Sequence, residues 1–281
     1  MQRGVMYRRI IGAGILGVAV FCLAVVAFAQ RGGRYLAEPS SVSIPVRNAE
    51  FHFIRLQYTD SPYYHRGFGF ASRDGQGSGW WIVDWPDADN HFTAGIQRLT
   101  RIDTGDPRHV KLTDENLFDY PWIYATQTGW WALTDAEVAR LREYLLRGGY
   151  LVTDDMWGAD AWEIFRDTMN RVLPGRDITD MAETDPVMHV LYDIQEKDRT
   201  FIPGSRHLYV RGGATEVVQP PGSNPAWRAM YDDRGHMVVA INYDTDVGDA
   251  WEFADVPYYP EKMTALAYRY GINYIIYSMT H

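Results

Sequence analysis

The stretch from residue 134 to residue 175 constrains the fold of this chain more than any other. Thr134 and Glu137 have the spacing of a helical capping box. Apolar residues then recur at helical spacing, at Val138, Leu141 and Leu145. Gly148-Gly149 follows, and it predicts the end of the helix because glycine adopts the left-handed conformation at little steric cost.

A short strand and a second helix follow in the same stretch. Residues 150–153 are a β-prone run without polar alternation, which indicates a central strand covered on both faces. The run leads into Asp154-Asp155. A second apolar stripe then comprises Trp162, Phe165, Met169 and Val172. This pattern predicts an open, mainly parallel α/β sheet, in which ligands bind outside the carboxyl ends of the strands.

The C-terminal third predicts a β-hairpin and a closing helix. Two β-rich runs span residues 226–243 and are separated by Asp232-Asp233-Arg234-Gly235, which is typical of a hairpin turn. Residues 263–279 predict a tyrosine-rich helix that is interrupted or bent near Gly271.

Residues 1–29 have the features of a targeting segment. Arginines precede an uncharged run from Ile10 to Ala29 that closes on Ala27-Phe28-Ala29. This small-x-small pattern predicts a signal peptide cleaved after Ala29 and a periplasmic or secreted protein. A retained N-terminal anchor is the alternative, because the run approaches the roughly 20 apolar residues that span a bilayer. We expect a flexible leader at 30–49 and a single domain at 50–281.

The charge of the chain limits its partners. Loss of residues 1–29 removes three arginines and no acids, which lowers the formal net charge from −9 to −12. Such a surface repels nucleic acid and anionic lipid, so we expect membrane contact only through an uncleaved N-terminus. The single cysteine, Cys22, lies in the targeting segment. The rest of the chain therefore has neither a disulfide nor a thiol.

Three groups of acidic residues stand near predicted strand ends. They are Asp84 with Asp87 and Asp89, Asp154 with Asp155, and Asp244 with Asp246 and Asp249. Paired carboxylates serve as general acid and base, and they also bind hard cations. The alternative is that each aspartate caps a helix or shapes a turn. We take Asp84, Asp154 and Asp155 as candidate catalytic residues, and expect Asp154 or Asp155 to be exposed in the principal pocket.

No metal site or cofactor is predicted. Residues 244–249 have the spacing D-x-D-x-x-D, but they lack the full spacing and the terminal glutamate of a calcium loop, which favours a solvated turn. The histidines are scattered without the spacing of a zinc site. His91 lies beside the first acidic group, where it is a candidate proton carrier or a half-exposed helical residue.

Aromatic residues make up 14% of the chain, and tryptophans concentrate around the acidic segments. Flat rings with polar edges suit sugars or peptides, whereas a large aromatic core is the alternative. Trp162 fits a helical stripe and is assigned to the core. The candidate ligand-binding residues are Trp85, Asp87, His91, Trp131, Trp157 and Asp244.

Five segments carry a resemblance to a known family. They read FHFIRLQY, GWWIVDWPDADNHF, GGYLVTDD, INYDTDVGDAWEF and YRYGINYIIYSMTH. Together they resemble the uncharacterised bacterial family catalogued as domain of unknown function four-one-five-nine, over about Glu50 to His281. The resemblance implies kinship with class I glutamine amidotransferase-like domains, and hence a three-layer flavodoxin-like sandwich, here with the C-terminal hairpin and helix. It implies no established activity.

Three functions remain open. The first is a ligand-binding or envelope-assembly module without amidotransferase chemistry, whose partner is a carbohydrate or an envelope protein. The second is a hydrolase that cleaves a glycan or another envelope polymer through the strand-edge aspartates. The third is a structural interaction domain tethered to the membrane. In amidotransferase-like enzymes a cysteine nucleophile follows the strand that here leads into Thr153-Asp154-Asp155-Met156, so we predict no glutamine hydrolysis.

Overall fold

A computed structural model describes residues 49–61 and 78–281. The predicted signal peptide, nearly all of the leader and the middle of the glycine-rich segment at 59–79 lie outside these residues. Among the helices of the described part, none has the length and apolar character needed to cross a membrane.

A seven-stranded, mainly parallel sheet forms the centre of the fold, in the order β2-β1-β3-β4-β9-β8-β5. Strands β2, β1, β3, β4 and β9 are parallel, whereas β8 is antiparallel to both of its neighbours, β9 and β5. A separate antiparallel pair, β6-β7, lies outside this sheet. The strands are β1 Ile54–Gln57, β2 Arg108–Lys111, β3 Trp122–Thr126, β4 Tyr150–Met156, β5 Thr179–Asp180, β6 Leu208–Arg211, β7 Ala214–Val217, β8 Ala226–Tyr231 and β9 Met237–Tyr243.

Helices cover both faces of the sheet. They are α1 Asp87–Leu99, α2 Asp135–Leu146, α3 Gly158–Val172, α4 Val247–Glu252 and α5 Glu261–Thr280. Successive strand residues point to opposite faces, so Trp122 of β3 packs in the core with α1, α4 and α5, whereas Ile123 packs in the core with α2 and α3. The mixed α/β architecture expected from the sequence is confirmed.

The local signals at α2 and the hairpin are confirmed. The Thr134 hydroxyl accepts a hydrogen bond from the Glu137 backbone N–H, and the Glu137 carboxylate accepts one from the Thr134 backbone N–H. Gly148 follows the helix with a left-handed φ of 93°. Strands β8 and β9 pair as the expected hairpin. Helix α5 runs without the interruption considered near Gly271.

Strand β4 is longer than the sequence indicated, which changes the position of the two aspartates. It pairs with β3 at Asp154 and with β9 at Met156, so both aspartates lie within the sheet. Asp154 is 0% exposed and Asp155 is 2% exposed. The expectation that one of them is exposed was wrong, because parallel neighbours on both sides continue beyond Thr153. A register shift in the pairing with β9 lies between Thr153 and Met156, and such an irregularity changes the direction in which the intervening side chains point.

Candidate functional site

The carboxyl ends of four adjacent parallel strands, β1, β3, β4 and β9, meet at one edge of the sheet. The segment between Ile82 and α1 brings Asp84 to this edge, and the segment after β9 brings Asp246 and Asp249. Members of all three acidic groups found in the sequence therefore meet there, namely Asp84, Asp154 with Asp155, and Asp246 with Asp249.

Backbone strain is concentrated at this edge. Among the described residues, the non-glycine residues with positive φ are Asp84 at 66°, Gln127 at 54°, Asp155 at 51° and Asp244 at 51°. Left-handed backbone is uncommon outside glycine, although aspartate tolerates it better than most residues. Such residues persist where the surrounding structure holds them, and they cluster at functional sites.

An acidic cluster comprises Asp84, Asp154, Asp155, Asp246 and Asp249, with Glu252 at its border. Carboxylate oxygens of Asp84, Asp155 and Asp246 all lie within 4.8 Å of one another. Asp84 also belongs to a second group of this kind, with Asp249 and Glu252. Since Asp246 is buried, the interpretation of residues 244–249 as a solvated turn was wrong. The turn folds inward because Asp246 caps α4 and accepts a hydrogen bond from the Asp249 backbone N–H at 2.8 Å.

Asp154 is the fully buried member of the cluster. Its Oδ2 accepts hydrogen bonds from the Tyr124 hydroxyl at 2.8 Å and from the backbone N–H groups of Val247 and Gly248 at 2.9 and 2.8 Å. Burial, followed by the charge of Asp155, raises the pKa of Asp154 to about 7, although these donors oppose the shift. The side chain therefore stabilises the start of α4 from within the sheet.

Mutual repulsion extends through the rest of the cluster. Burial, then Asp249 and Asp155, raises the pKa of Asp84 well above its ordinary value. Burial, then Asp155 and Asp249, does the same to the pKa of Asp246. The pKa of Asp249 is also raised, by burial and then by Asp155. Several carboxylates thus share a space in which their ionised forms destabilise one another.

A buried ion pair lies beside the cluster. The Arg55 guanidinium on β1 donates to both oxygens of Asp89 on α1, with Nε to Oδ1 at 3.0 Å, and both side chains are fully buried. Arg55 also donates to the carbonyl of Val83 at 2.6 Å, one residue before Asp84. Asp89 therefore balances Arg55, and the pair holds the segment that carries Asp84.

Asp155 connects the cluster to a cleft. Its carboxylate accepts hydrogen bonds from the Gln127 amide and the Trp157 indole N–H, and Arg206 Nη2 lies 3.4 Å from its Oδ1. Gln127, Trp157 and Arg206 all line the cleft, which has a volume of about 640 Å³. Asp155 thus fixes the cleft wall while remaining buried behind it.

Aromatic rings form two walls of the cleft. On one side Trp80 and Trp130 stack with centroids 5.7 Å apart. On the other, the ring centroids of Trp157 and His207 are 4.6 Å apart, and the guanidinium carbon of Arg206 lies 4.8 Å from the centroid of the Trp157 ring. The remaining described lining residues are Gly158, Ala159, Pro220, Pro221, Gly222, Ser223 and Asp244. The cleft thus offers flat apolar faces with a few hydrogen-bonding groups.

The structure separates the residues predicted to bind ligand. Trp157 and Asp244 line the cleft, and Asp244 accepts backbone hydrogen bonds from Gly158 and Asn224 at 2.8 and 2.7 Å. Trp131 is buried and stacks on Phe165 with centroids 5.4 Å apart.

Three other predicted residues lie outside the lining of the cleft. Trp85 is half-buried, with its ring centroid 5.5 Å from that of His109. Asp87 is in the first turn of α1. The Nδ1 atom of His91 lies 3.0 Å from the carbonyls of Trp251 and Glu252, so this histidine joins α1 to α4.

Sequence reasoning missed several residues of the site. Trp80 and Trp130, each of which is adjacent to another tryptophan, are not among the predicted ligand-binding residues, and neither are Gln127, Arg206 and His207. Arg206 and His207 come from a 3₁₀ turn at Ser205–His207, whose segment has no periodic pattern. Gln127 directly follows β3, so a rule that selects the residue after each central strand would have found it.

These features define an α/β protein with a buried acidic cluster and an aromatic-walled cleft at the carboxyl edge of a mainly parallel sheet. The chain belongs to the family described as Domain of unknown function (DUF4159), whose model matches residues 54–279. No curated protein matches the chain.

Proposed function

We propose that this domain binds a carbohydrate in the cleft between the Trp80–Trp130 and Trp157–His207 walls. The observation that carries the proposal is the pairing of flat aromatic faces with Arg206 and Gln127, all of which line one cavity. Sugar rings present apolar faces to aromatic rings and hydroxyls to polar groups at the edges. A volume of about 640 Å³ is within the range of small-molecule sites.

Hydrolysis through the strand-edge aspartates is less well supported than binding. Glycoside hydrolysis ordinarily needs two carboxyl groups on either side of the scissile bond. Asp244 is the one carboxylate among the described residues that line the cleft, and both of its oxygens accept backbone hydrogen bonds. Asp154 and Asp155 are buried behind the wall. We therefore favour a binding module over a hydrolase.

The finer fold assignment is part of the proposal. The order β2-β1-β3-β4-β9 corresponds to the 2-1-3-4-5 order of flavodoxin-like sheets, with β9 as the fifth strand. We assign the domain to a flavodoxin-like, glutamine amidotransferase-like scaffold that has lost amidotransferase chemistry, because the chain has no cysteine after Cys22. Ammonia release from glutamine by the purified domain would contradict this assignment.

The proposed location is the periplasm or the exterior of the cell, where the ligand is an envelope glycan. The support is the uncharged run from Ile10 to Ala29 and its small-residue end. Mass spectrometry of the exported protein should find Gln30 at the N-terminus. An intact Met1 in the membrane fraction would instead establish a retained anchor.

Binding is tested by calorimetry with a panel of soluble envelope glycans, using Trp157→Phe and Trp130→Ala. We expect at least a tenfold loss of affinity in each variant, about 1.4 kcal/mol or more, because each removes part of an aromatic wall or its anchoring hydrogen bond. Trp85→Phe is the matched control, since Trp85 lies outside the lining of the cleft. Binding that depends on Trp85 rather than on Trp157, or no binding to any glycan, would refute the proposal.

A further inference from the structure

The acidic cluster contains oxygen atoms whose hydrogen-bonding capacity is not used. Asp84 Oδ2 and Asp154 Oδ1 are shielded from solvent and have no hydrogen-bond partner. Asp154 is 0% exposed, and its other oxygen already accepts three hydrogen bonds. A buried carboxylate oxygen without a partner is costly, so each such atom requires an explanation.

Asp84 lies at the point where two groups of carboxylates meet. One group adds Asp155 and Asp246, and the other adds Asp249 and Glu252, with the oxygens of each group within 4.8 Å of one another. Hydrogen bonds to protein donors explain the positions of Asp154 and Asp249, because backbone N–H groups hold them. They do not explain Asp84, whose buried Oδ2 faces other acids.

Two glycines allow the backbone to approach the cluster closely. A Cβ at Gly248 would lie 2.7 Å from Asp84 Oδ2 and 2.7 Å from the Tyr124 hydroxyl. A Cβ at Gly204 would lie 2.7 Å from Asp246 Oδ2 and 3.1 Å from Asp249 Oδ2. The carboxylates are therefore enclosed by backbone on two sides, which fixes their oxygens in a confined space.

We propose that this cluster binds a hard divalent cation, Mg²⁺ or Ca²⁺, through the carboxylates of Asp84, Asp155 and Asp246. Asp249 and Glu252, which form the second group with Asp84, supply further carboxylate oxygens next to this position. The donor set consists of carboxylate oxygens, which hard cations prefer, and it contains neither histidine nor cysteine. A cation would satisfy Asp84 Oδ2 and convert the repulsion among the acids into attraction.

The proposed cation site lies behind the cleft, and none of its carboxylates is among the described residues that line the cleft. Asp155 is the shared element, because it faces the cluster while it holds Gln127 and Trp157. Cation binding therefore does not require a carbohydrate, and the two proposals can fail independently.

The test compares thermal unfolding of the exported chain after treatment with EDTA and then with added Mg²⁺, Ca²⁺ or Zn²⁺. We expect Mg²⁺ or Ca²⁺ to raise the unfolding temperature in a concentration-dependent manner, because a ligand that binds only the folded state stabilises it. The Mg²⁺ and Ca²⁺ arms identify the preferred ion. A greater response to Zn²⁺ than to either would overturn the assignment to a hard cation.

Asp84→Asn is the decisive variant. Asparagine tolerates the left-handed φ of 66° at this position and removes one charge from the cluster. Without cation the variant should be at least as stable as the native protein, and its cation dissociation constant, measured by calorimetry, should rise at least tenfold. A residue with a merely structural role would lose stability under both conditions.

Asp246→Asn is a second variant that retains a good N-cap for α4, and it should show the same loss of cation affinity. Asp167→Asn, on the exposed face of α3, is the matched control and should respond to cation as the native protein does. The proposal is overturned if the native protein shows no response to Mg²⁺ or Ca²⁺, or if Asp84→Asn and Asp246→Asn respond normally.

Discussion

The indole N–H of Trp157 donates a hydrogen bond to the buried carboxylate of Asp155, two residues earlier in the chain. This contact joins a wall of the cleft to the acidic cluster, because Asp155 also belongs to the group formed with Asp84 and Asp246. A change in the charge of the cluster must therefore alter the surroundings of the Trp157 ring. The relationship makes tryptophan emission a direct probe of the coupling between the two sites.

The first prediction concerns that coupling. Addition of Mg²⁺ or Ca²⁺ to EDTA-treated protein should change the tryptophan emission, and Trp157→Phe should remove most of the change while it leaves the cation affinity within about threefold. Phenylalanine keeps an aromatic ring but lacks the N–H that reaches Asp155. Trp162→Phe, on α3, is the control and should retain the change. An emission change that survives in Trp157→Phe would show that the two sites are not coupled through this residue.

The second prediction concerns the buried pair of Arg55 and Asp89. Asp89→Asn should destabilise the protein by about 3–5 kcal/mol, because it leaves a buried guanidinium that cannot release its proton. Arg55→Met should cost less, since the remaining Asp89 can bind a proton. Urea unfolding measures both values.

The matched control for the pair is Glu163→Gln, which removes an exposed partner of Arg166 and should change stability by less than about 0.5 kcal/mol. If Asp89→Asn were no more costly than this control, Arg55 would have another partner sufficient to balance its charge.

The third prediction concerns Gly248 at the start of α4. Replacement of glycine by alanine in a helix ordinarily stabilises a protein, by up to about 1 kcal/mol. Here the added Cβ would meet Asp84 and Tyr124 at 2.7 Å, so Gly248→Ala should instead destabilise by about 1–3 kcal/mol. It should also weaken cation binding. A gain in stability in urea unfolding would show that the cluster is less confined than its contacts indicate.

The elements that local rules govern could be predicted from the sequence. The Thr134–Glu137 capping box, the β8–β9 hairpin and the alternation of α and β each depend on residues that are close in the chain. A parallel sheet also places the carboxyl ends of its strands at one edge, but the sequence left open whether the three acidic groups meet there. Local signals were sufficient for the capping box, the hairpin and the alternation.

Burial at the edge of the sheet could not be predicted in the same way. Asp154 and Asp155 resembled the turn after a strand, yet β3 pairs with β4 as far as Asp154 and β9 pairs with it as far as Met156. Residues 244–249 resembled a solvated loop in the sequence. In the structure the backbone N–H of Asp246 donates to the carbonyl of Ile202 at 3.0 Å, and local composition does not predict a contact with such a distant residue. Contacts between distant segments decided burial in both places.

The fourth prediction concerns His207, beside Trp157 in the cleft. Burial, followed by the charge of Arg206, lowers its pKa from 6.5 to about 4. Between these pH values the unfolded chain binds a proton that the folded chain does not, so the contribution of His207 to stability is lost as the pH falls from about 6.5 towards 4. His207→Asn keeps a side-chain acceptor for the Gly204 N–H and does not titrate. Between pH 6.5 and pH 4.5 the free energy of unfolding, measured with urea, should fall by about 1 kcal/mol less in this variant than in the native protein. This difference is smaller than the ~1.4 kcal/mol for each pH unit that a fully shielded group would contribute.

His189 supplies a control of opposite sign. The Glu183 carbonyl and the Asp193 carboxylate raise its pKa, so its contribution is present below pH 6.5 and is lost as the pH rises through the higher folded-state value. As the pH falls from above this folded-state value to about 6.5, the native protein should therefore gain stability that His189→Asn does not gain, whereas His207→Asn should lose less than the native protein below about pH 6.5. Because both comparisons are made against the same chain, the titration of the acidic cluster cancels from each difference. If both variants shifted in the same direction, the neutral, buried state of His207 would be contradicted.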